Sequence, residues 1–502
     1  MTFHFNLFAY NVPFFSIFLS MIAAIVTPLL PRRNRVPEKV TCTVVAVIGV
    51  MSACLLAFTT HTGASFTFMM GHYPAPWGNE LRAGPLEALL ALAFCVSMEL
   101  SLLGNFDSTA EDIPEGRLPF FCVLVNLLMS SLLALLYTND LFTAYVFIEI
   151  NTIASCAIVV AKEGGEAVHA ALRYLVMSLS GSGLILISIC LLYDLTGHLL
   201  MQPLHNSIRA LVLSRRYMFP LSVALYLMTA GLAVKSALYP FASWLHDAHG
   251  SATNASSSIL SGLVLKGHIF LIIKVFCRVF GLDIIHLLRM DTQLLIFGLL
   301  GMIMGSVHAL SQTNIKQMIA WSSVAQVGYI FLGIGLNTEA GIAAACLHVI
   351  VHACVKPMLF TAAGGLASAA GHNKELHALR GTFYVNRWAG LGLVAGACSM
   401  MGVPTFAGFA SKLSLTLASF DNPAIVWALA ALAASSVLNA LYYVPAVIVV
   451  LTHPDVDAPA MPRLATPLYR WSMAAFLALN FFLGLFCVPV LRVIEKGVSV
   501  LG

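Results

Sequence analysis

The sequence predicts an all-α membrane protein that crosses the bilayer many times, and three observations predict it. Of its 502 residues, 59% are hydrophobic and 10% are charged, whereas soluble domains carry about 25% charged residues. The mean hydropathy is +0.89, and the apolar runs reach the ~20 residues that a helix needs to span hydrocarbon. Those runs are continuous and do not alternate in short segments. In lipid only helices and closed barrels satisfy their own backbone, and this pattern selects helices.

About fourteen spans are expected, near residues 8–30, 41–59, 85–106, 117–137, 140–161, 170–193, 218–241, 253–278, 292–311, 315–336, 339–366, 387–411, 423–450 and 469–492. The first runs past signal-peptide length into Pro31-Arg32-Arg33, so it reads as a retained span. The longer connections are 60–84, 194–217, 372–386 and 452–468. Arg32, Arg33, Arg35 and Lys39 in the first loop share a side with Lys374, Arg380 and Arg387. By the positive-inside rule that side is cytoplasmic and both termini face outward. Arg209, Arg215 and Arg216 fall on the other side and dissent.

Spans seven and twelve carry breaks, at Lys235-Ser236-Ala237-Leu238-Tyr239-Pro240 and at Gly402-Val403-Pro404. Proline removes a helix hydrogen bond, and freed backbone at membrane depth is tolerated only against protein or a wet cavity. The breaks hold comparable places in two successive groups of five spans, which predicts two inverted five-helix repeats. The expected division is 1–115 for helices one to three, 116–280 and 290–450 for the repeats, and 451–502 for helix fourteen.

A net charge of +4 without a Lys/Arg-rich run gives no footprint for nucleic acid. Eleven cysteines lie singly in apolar segments without a CxxC pair, so they read as small core hydrophobes and not as metal or iron–sulfur ligands. No motif for a cofactor is present.

Function is signalled by ionisable residues inside the spans, each costing roughly 2.5–3.5 kcal/mol at mid-helix. Glu149 lies over two turns into span five, and Lys235, beside the break in span seven, is its expected partner; lengthening their separation would release a proton from the lysine. Lys266 lies deep in span eight, while Lys274, near Arg278, is assigned an interfacial role. His348, His352 and Lys356 recur every four residues, so they share one face of span eleven. Two histidines at this spacing can ligate metal, but no third ligand accompanies them, and a hydrated proton relay suits imidazole better. Pro357 follows and marks a candidate local break. Lys412, after the break in span twelve, is the candidate terminal group for exchange with the outside.

These motifs resemble the antiporter-like subunits shared by respiratory complex I, Mrp antiporters and membrane-bound hydrogenases. Gly71-His72-Tyr73-Pro74-Ala75-Pro76-Trp77-Gly78-Asn79-Glu80-Leu81-Arg82 resembles the loop before their third helix. Residues 140–149 resemble their fifth helix. Pro240-Phe241-Ala242-Ser243-Trp244-Leu245-His246-Asp247-Ala248-His249 resembles Pro-Phe-His-x-Trp-Leu-Pro-Asp-Ala-His, and Lys316-Gln317-Met318-Ile319-Ala320-Trp321-Ser322-Ser323 resembles Lys-x-x-x-Ala-Tyr-Ser-Ser. Residues 348–360 and 402–412 also fit, so the resemblance spans roughly 70–450. It implies a proton path through Glu149, Lys235, Lys266, His348 or His352, and Lys412.

There are departures. Ala242 stands where the family has His, His246 where it has Pro, and Ala252-Thr253-Asn254-Ala255 lacks two prolines. Gly84 replaces a usual Asp. His246, His249 and His268 are candidates to substitute in the relay. The departures, and a sequence that closes soon after span fourteen without the long lateral helix of the distal complex I subunit, favour the Mrp D-like and hydrogenase branch over a standard complex I subunit.

The expected function is proton translocation within a larger complex of the inner membrane. Other membrane subunits, related antiporter-like chains among them, are the expected partners, and redox energy or an ion gradient comes from them. Sodium–proton exchange in an Mrp-type assembly is the first rival. A non-conducting structural subunit and a free-standing transporter of an organic substrate are the others.

Overall fold

A computed structural model describes residues 2–31, 33–73, 78–162, 164–453 and 465–501, without the side chains of residues 2–7 and 72. Arg32, Pro74-Ala75-Pro76-Trp77 of the loop motif and much of the last long connection lie outside the described residues.

Helices follow the expected spans closely. They are α1 (Thr2–Val26), α2 (Val36–Thr62), α3 (Pro85–Gly104), α4 (Leu118–Tyr137), α5 (Leu141–Val160) and α6 (Gly165–Thr196). Span seven divides into α7a (Met218–Lys235) and α7b (Ser243–Ser251). Then come α8 (Asn254–Phe280), α9 (Met290–Leu310), α10 (Ile315–Gly335) and α11 (Glu339–Ala369). Span twelve divides into α12a (Arg387–Met401) and α12b (Ala407–Ala418), before α13 (Ile425–Leu451), α14 (Pro467–Leu485) and a terminal α15 (Cys487–Ser499). Among the described residues 13 helices are long and apolar enough to cross a membrane. The divided span twelve, in rods of 15 and 12 residues, supplies the remaining crossing.

Local chemistry sets the starts. The side chains of Asp140, Asn314, Thr338 and Asn386 accept from backbone N–H groups in the first turns of α5, α10, α11 and α12a, satisfying donors that a helix end leaves open. The breaks in α7 and α12 sit where residues leave helical geometry: Ala237 has φ 54° and Gly402 has φ 89°.

Pro357 does not break α11, which runs continuously from Glu339 to Ala369. A helical proline frees the carbonyl four residues earlier. That carbonyl, on Ala353, accepts from the Ser97 hydroxyl of α3 at 2.7 Å, so the cost of the proline is offset by a neighbour. The irregularity falls instead on α8, which contains π turns at Leu260–Val264 and Val275–Phe280. Gly262, inside the first, faces Pro357 so closely that a Cβ there would lie 2.4 Å from the ring.

Among the described residues, two of the long connections contain regular structure. In 60–84, strands β1 (Phe66–Met69) and β2 (Glu80–Ala83) pair antiparallel with Phe66 opposite Ala83. Arg82 donates to Leu501 O at 2.9 Å, tying the end of the chain to this hairpin. Connection 194–217 holds a helix, Met201–Leu213, with one buried face at Met201, Leu204 and Ile208. Chain order places the hairpin, this helix and α15 on one face. The opposite face carries the basic loops around Arg35 and Lys374.

Burial orders the bundle. The spanning windows of α8, α10 and α11 are 100% buried, whereas those of α2, α6, α13 and α14 are 28–39% buried. The helices that carry most of the internal charge are therefore the innermost. Glycines permit the tight crossings: a Cβ at Gly231 of α7a would meet the Gly181 carbonyl of α6 at 2.5 Å. Small residues at such crossings let backbones approach in lipid.

Candidate functional site

The buried charges form a row across the inner helices. At one end, Glu149 on α5 is half-buried, and its Oε1 has no protein partner. Lys235 closes α7a and is 1% exposed. The expected Glu149–Lys235 ion pair is not present. The ammonium donates to Thr152 Oγ1 at 2.7 Å and to Ser178 Oγ at 3.0 Å. Thr152 lies one turn after Glu149, so the lysine reaches the same face of α5 but rests on hydroxyls, within electrostatic reach of the carboxylate. The close crossing at Gly181 and Gly231, each one turn from a partner, sets Ser178 against Lys235.

His268 on α8 is buried, and neither of its ring nitrogens has a protein partner. Lys266, fully buried, folds back over the π turn to donate to the Ser261 carbonyl. Ser261 Oγ meets Ser323 Oγ of α10 at 3.0 Å. Across that contact Lys356 of α11 donates to Ile319 O at 3.0 Å and to Ser322 Oγ. Tyr443 of α13 closes the group through Ser322 at 2.8 Å.

From there the row follows α11. The His352 and His348 rings lie 6.3 Å apart and nearly parallel. Both nitrogens of His352 are buried and unpartnered, while His348 Nδ1 meets Ser411 Oγ of α12b at 3.0 Å. Tyr329 of α10 stacks on His348 at 5.4 Å. Lys412 lies 4.9 Å from the centre of that tyrosine ring and donates to Met400 O at 2.7 Å and Ser436 Oγ at 3.2 Å. It thus caps the carbonyl end of α12a, where a helix dipole favours a cation.

The remaining candidates lie beside this row. His249 on α7b is fully buried and stacks on Phe360 at 4.5 Å. His246, further out on α7b, stacks on Trp321 at 5.1 Å and is half-buried. Lys274, assigned an interfacial role from the sequence, is enclosed by protein. It is 1% exposed and donates to Leu136 O at 3.0 Å and to Thr138 O, covering the carbonyl end of α4. The helix end beside it explains why an ammonium is retained there.

One feature unites the buried lysines. Among the described residues, Lys235, Lys266, Lys274, Lys316, Lys356 and Lys412 all bond to carbonyl or hydroxyl oxygens and none pairs with a carboxylate. Neutral oxygens hold either protonation state less selectively than a carboxylate does.

Sequence reasoning missed the hydroxyls Thr152, Ser178, Ser261, Ser322, Ser323 and Ser411 that carry these contacts. It also left aside Lys316, which donates from the first turn of α10 to Ala252 O at 2.9 Å. Serine and threonine are common in membrane helices, so only their positions beside ammonium groups distinguish them. Lys316 opens one of the motifs that carry the family resemblance and could have been found there.

Comparisons with known proteins agree with this architecture. A sequence profile for the family described as NADH:quinone oxidoreductase/Mrp antiporter, TM, matches residues 138–438. The chain is 30% identical over 448 residues to NADH-quinone oxidoreductase subunit N of Desulforudis audaxviator, covering 86% of this chain and 85% of that one. It is 27% identical over 391 residues to a Na(+)/H(+) antiporter subunit of Alkalihalophilus pseudofirmus, covering 77% of each. It superposes with a TM-score of 0.86 and 25% identity on a chain of the membrane-bound sulfane sulfur reductase, an archaeal respiratory membrane complex, covering 98% of both. A chain of the Mrp complex from a Dietzia species gives 0.87 at 20% identity, covering 98% of this chain and 97% of that one. On the extent of the profile match and of the 30% relative, the chain belongs to the NADH:quinone oxidoreductase/Mrp antiporter membrane-subunit family.

Proposed function

We propose that this antiporter-like subunit moves protons through the row Glu149, Lys235, Lys266, His352, His348 and Lys412, inside a multi-subunit energy-converting complex. The observation that carries the reading is the combination of buried ammonium groups on neutral oxygens with buried imidazoles that have unpartnered nitrogens. An unsatisfied buried polar group costs about 1–3 kcal/mol, and a buried charge costs more. A sequence that keeps several of both in one row keeps them for use. The relatives are named as subunits of respiratory and Mrp complexes, which supports other membrane subunits as partners and the source of driving energy.

The reading has a direct test. Lys266→Ala should reduce coupled proton movement in membrane vesicles to background while the complex still assembles; parental pumping by that variant would overturn the assigned route. Sodium–proton exchange is the second reading, favoured by the relative named as a Na(+)/H(+) antiporter component. Sodium-driven proton movement without any redox substrate would select it. The two five-span groups, 116–280 and 290–450, are proposed as inverted repeats. The basic-loop face is proposed as cytoplasmic, with the termini outside the inner membrane.

A further inference from the structure

The row of buried charges has a second flank that the sequence did not indicate. On the basic-loop face a cavity of about 260 Å³ opens between the end of α3, the start of α8, the end of α11 and the start of α14. Asn105, Asp107, Glu111, Asn254, Gly365 and Ser368 are among the residues lining it. Two carboxylates, Asp107 and Glu111, are among its lining residues. One of them, Asp107, is bound to Arg35 at 3.1 Å.

The cavity does not end blindly. Asn105, 2% exposed, donates from its floor to Thr361 Oγ1 at 3.0 Å. Thr361 Oγ1 in turn meets Ser258 Oγ of α8 at 3.2 Å. Ser258 Oγ also lies 3.4 Å from the Pro357 carbonyl, next to Lys356. One turn further along α8, Ser261 carries the carbonyl that holds Lys266. On α11, Ser368, Gly365 and Thr361 follow one another at helical spacing toward Pro357 and Lys356. Two facing helices thus present small and hydroxyl-bearing residues from the cavity to the Pro357 carbonyl, one residue from Lys356, and to Ser258, one turn from Ser261. The glycines matter: a Cβ at Gly364 would lie 2.4 Å from Asn254, and one at Gly365 would lie 2.3 Å from the Tyr469 hydroxyl.

We propose that this cavity and the Thr361–Ser258 hydroxyl pair, with the Asn105 amide orienting Thr361, form a proton inlet from the basic-loop face toward Lys356 and Lys266. It is separate from the side of the row where α7b places His246 and His249. The inference rests on the proton-transfer reading and extends it to a point of access. Each hydroxyl accepts a proton on one lone pair and releases one from its O–H, so the two pass a proton without net change in either residue. The small residues leave room for water above it.

The test uses vesicles containing the whole complex. Thr361→Val keeps the shape and removes the hydroxyl, so proton movement should fall by about tenfold, with recovery in Thr361→Ser. In Ser368→Cys, a membrane-impermeant cationic thiol reagent applied to the basic-loop face should lower transport against the same variant untreated. Mass spectrometry confirms the modification, and the parent chain under the same treatment controls for native cysteines. Parental transport by Thr361→Val, or undiminished transport by the modified cysteine variant, overturns the inlet. Lys266→Ala run in parallel separates the two ideas. If it abolishes transport while the inlet variants do not, only the inlet falls; if it transports normally, the underlying route falls. Should Thr361→Val fail to assemble, the cysteine arm decides alone.

Discussion

At the scale of one side chain, His352 gives the proposed route its clearest test. Its imidazole is fully enclosed, and neither nitrogen has a protein partner. A histidine kept for packing would be better replaced by an apolar side chain. His352→Leu keeps a bulky buried side chain and removes no protein hydrogen bond, so the subunit should unfold within about 1 kcal/mol of the parent. Proton movement should be lost in the same variant. Thermal unfolding of the purified complex beside vesicle transport checks both, and a destabilised but active variant would assign the ring to structure. Lys235 makes a complementary case. It reaches Thr152 and Ser178 instead of Glu149, which lies one helical turn before Thr152.

Pairs of helices determine where those side chains sit. Ser97 of α3 satisfies the carbonyl that Pro357 frees in α11. Ser97→Ala should cost about 1 kcal/mol, seen as a lower unfolding midpoint, with Lys356 still in place and transport retained. The α6–α7a crossing is less forgiving. Gly231→Val would drive a side chain into the Gly181 carbonyl and Ile185, costing about 1–3 kcal/mol as overpacking. It should also part Lys235 from Ser178 and lower transport. Full activity there would show that the crossing does not position the lysine. The seventh and twelfth spans share a device: a lysine beside a break. Yet Lys412 caps the carbonyls of α12a while Lys235 turns away from its own helix end.

For the molecule as a whole, the arrangement is a buried triad, α8, α10 and α11, inside a ring of helices whose outer faces are apolar. Chain order sets Ser214 and Ser311, both exposed, on opposite faces. With the basic-loop face cytoplasmic, an impermeant thiol probe outside right-side-out vesicles should label Ser214→Cys and spare Ser311→Cys. The reverse pattern would invert the orientation.

The amino-acid sequence by itself determined the class of fold, the positions of the spans, both breaks and the family. Hydrocarbon imposes these directly, because a crossing needs a fixed length of apolar residues and a charge within it must be justified. It also marked Lys235, Lys266, His348, His352 and Lys412, since ionisable residues stand out against an apolar background. Only the tertiary structure decided what each charge touches. Glu149 and Lys235 stand apart, Lys274 is buried on the end of α4, and α11 passes Pro357 unbroken because Ser97 covers the freed carbonyl. Those outcomes depend on hydroxyls and carbonyls brought in from other helices. Their types are too common to be informative along the chain, and their effect arises only when packing sets them within bonding distance.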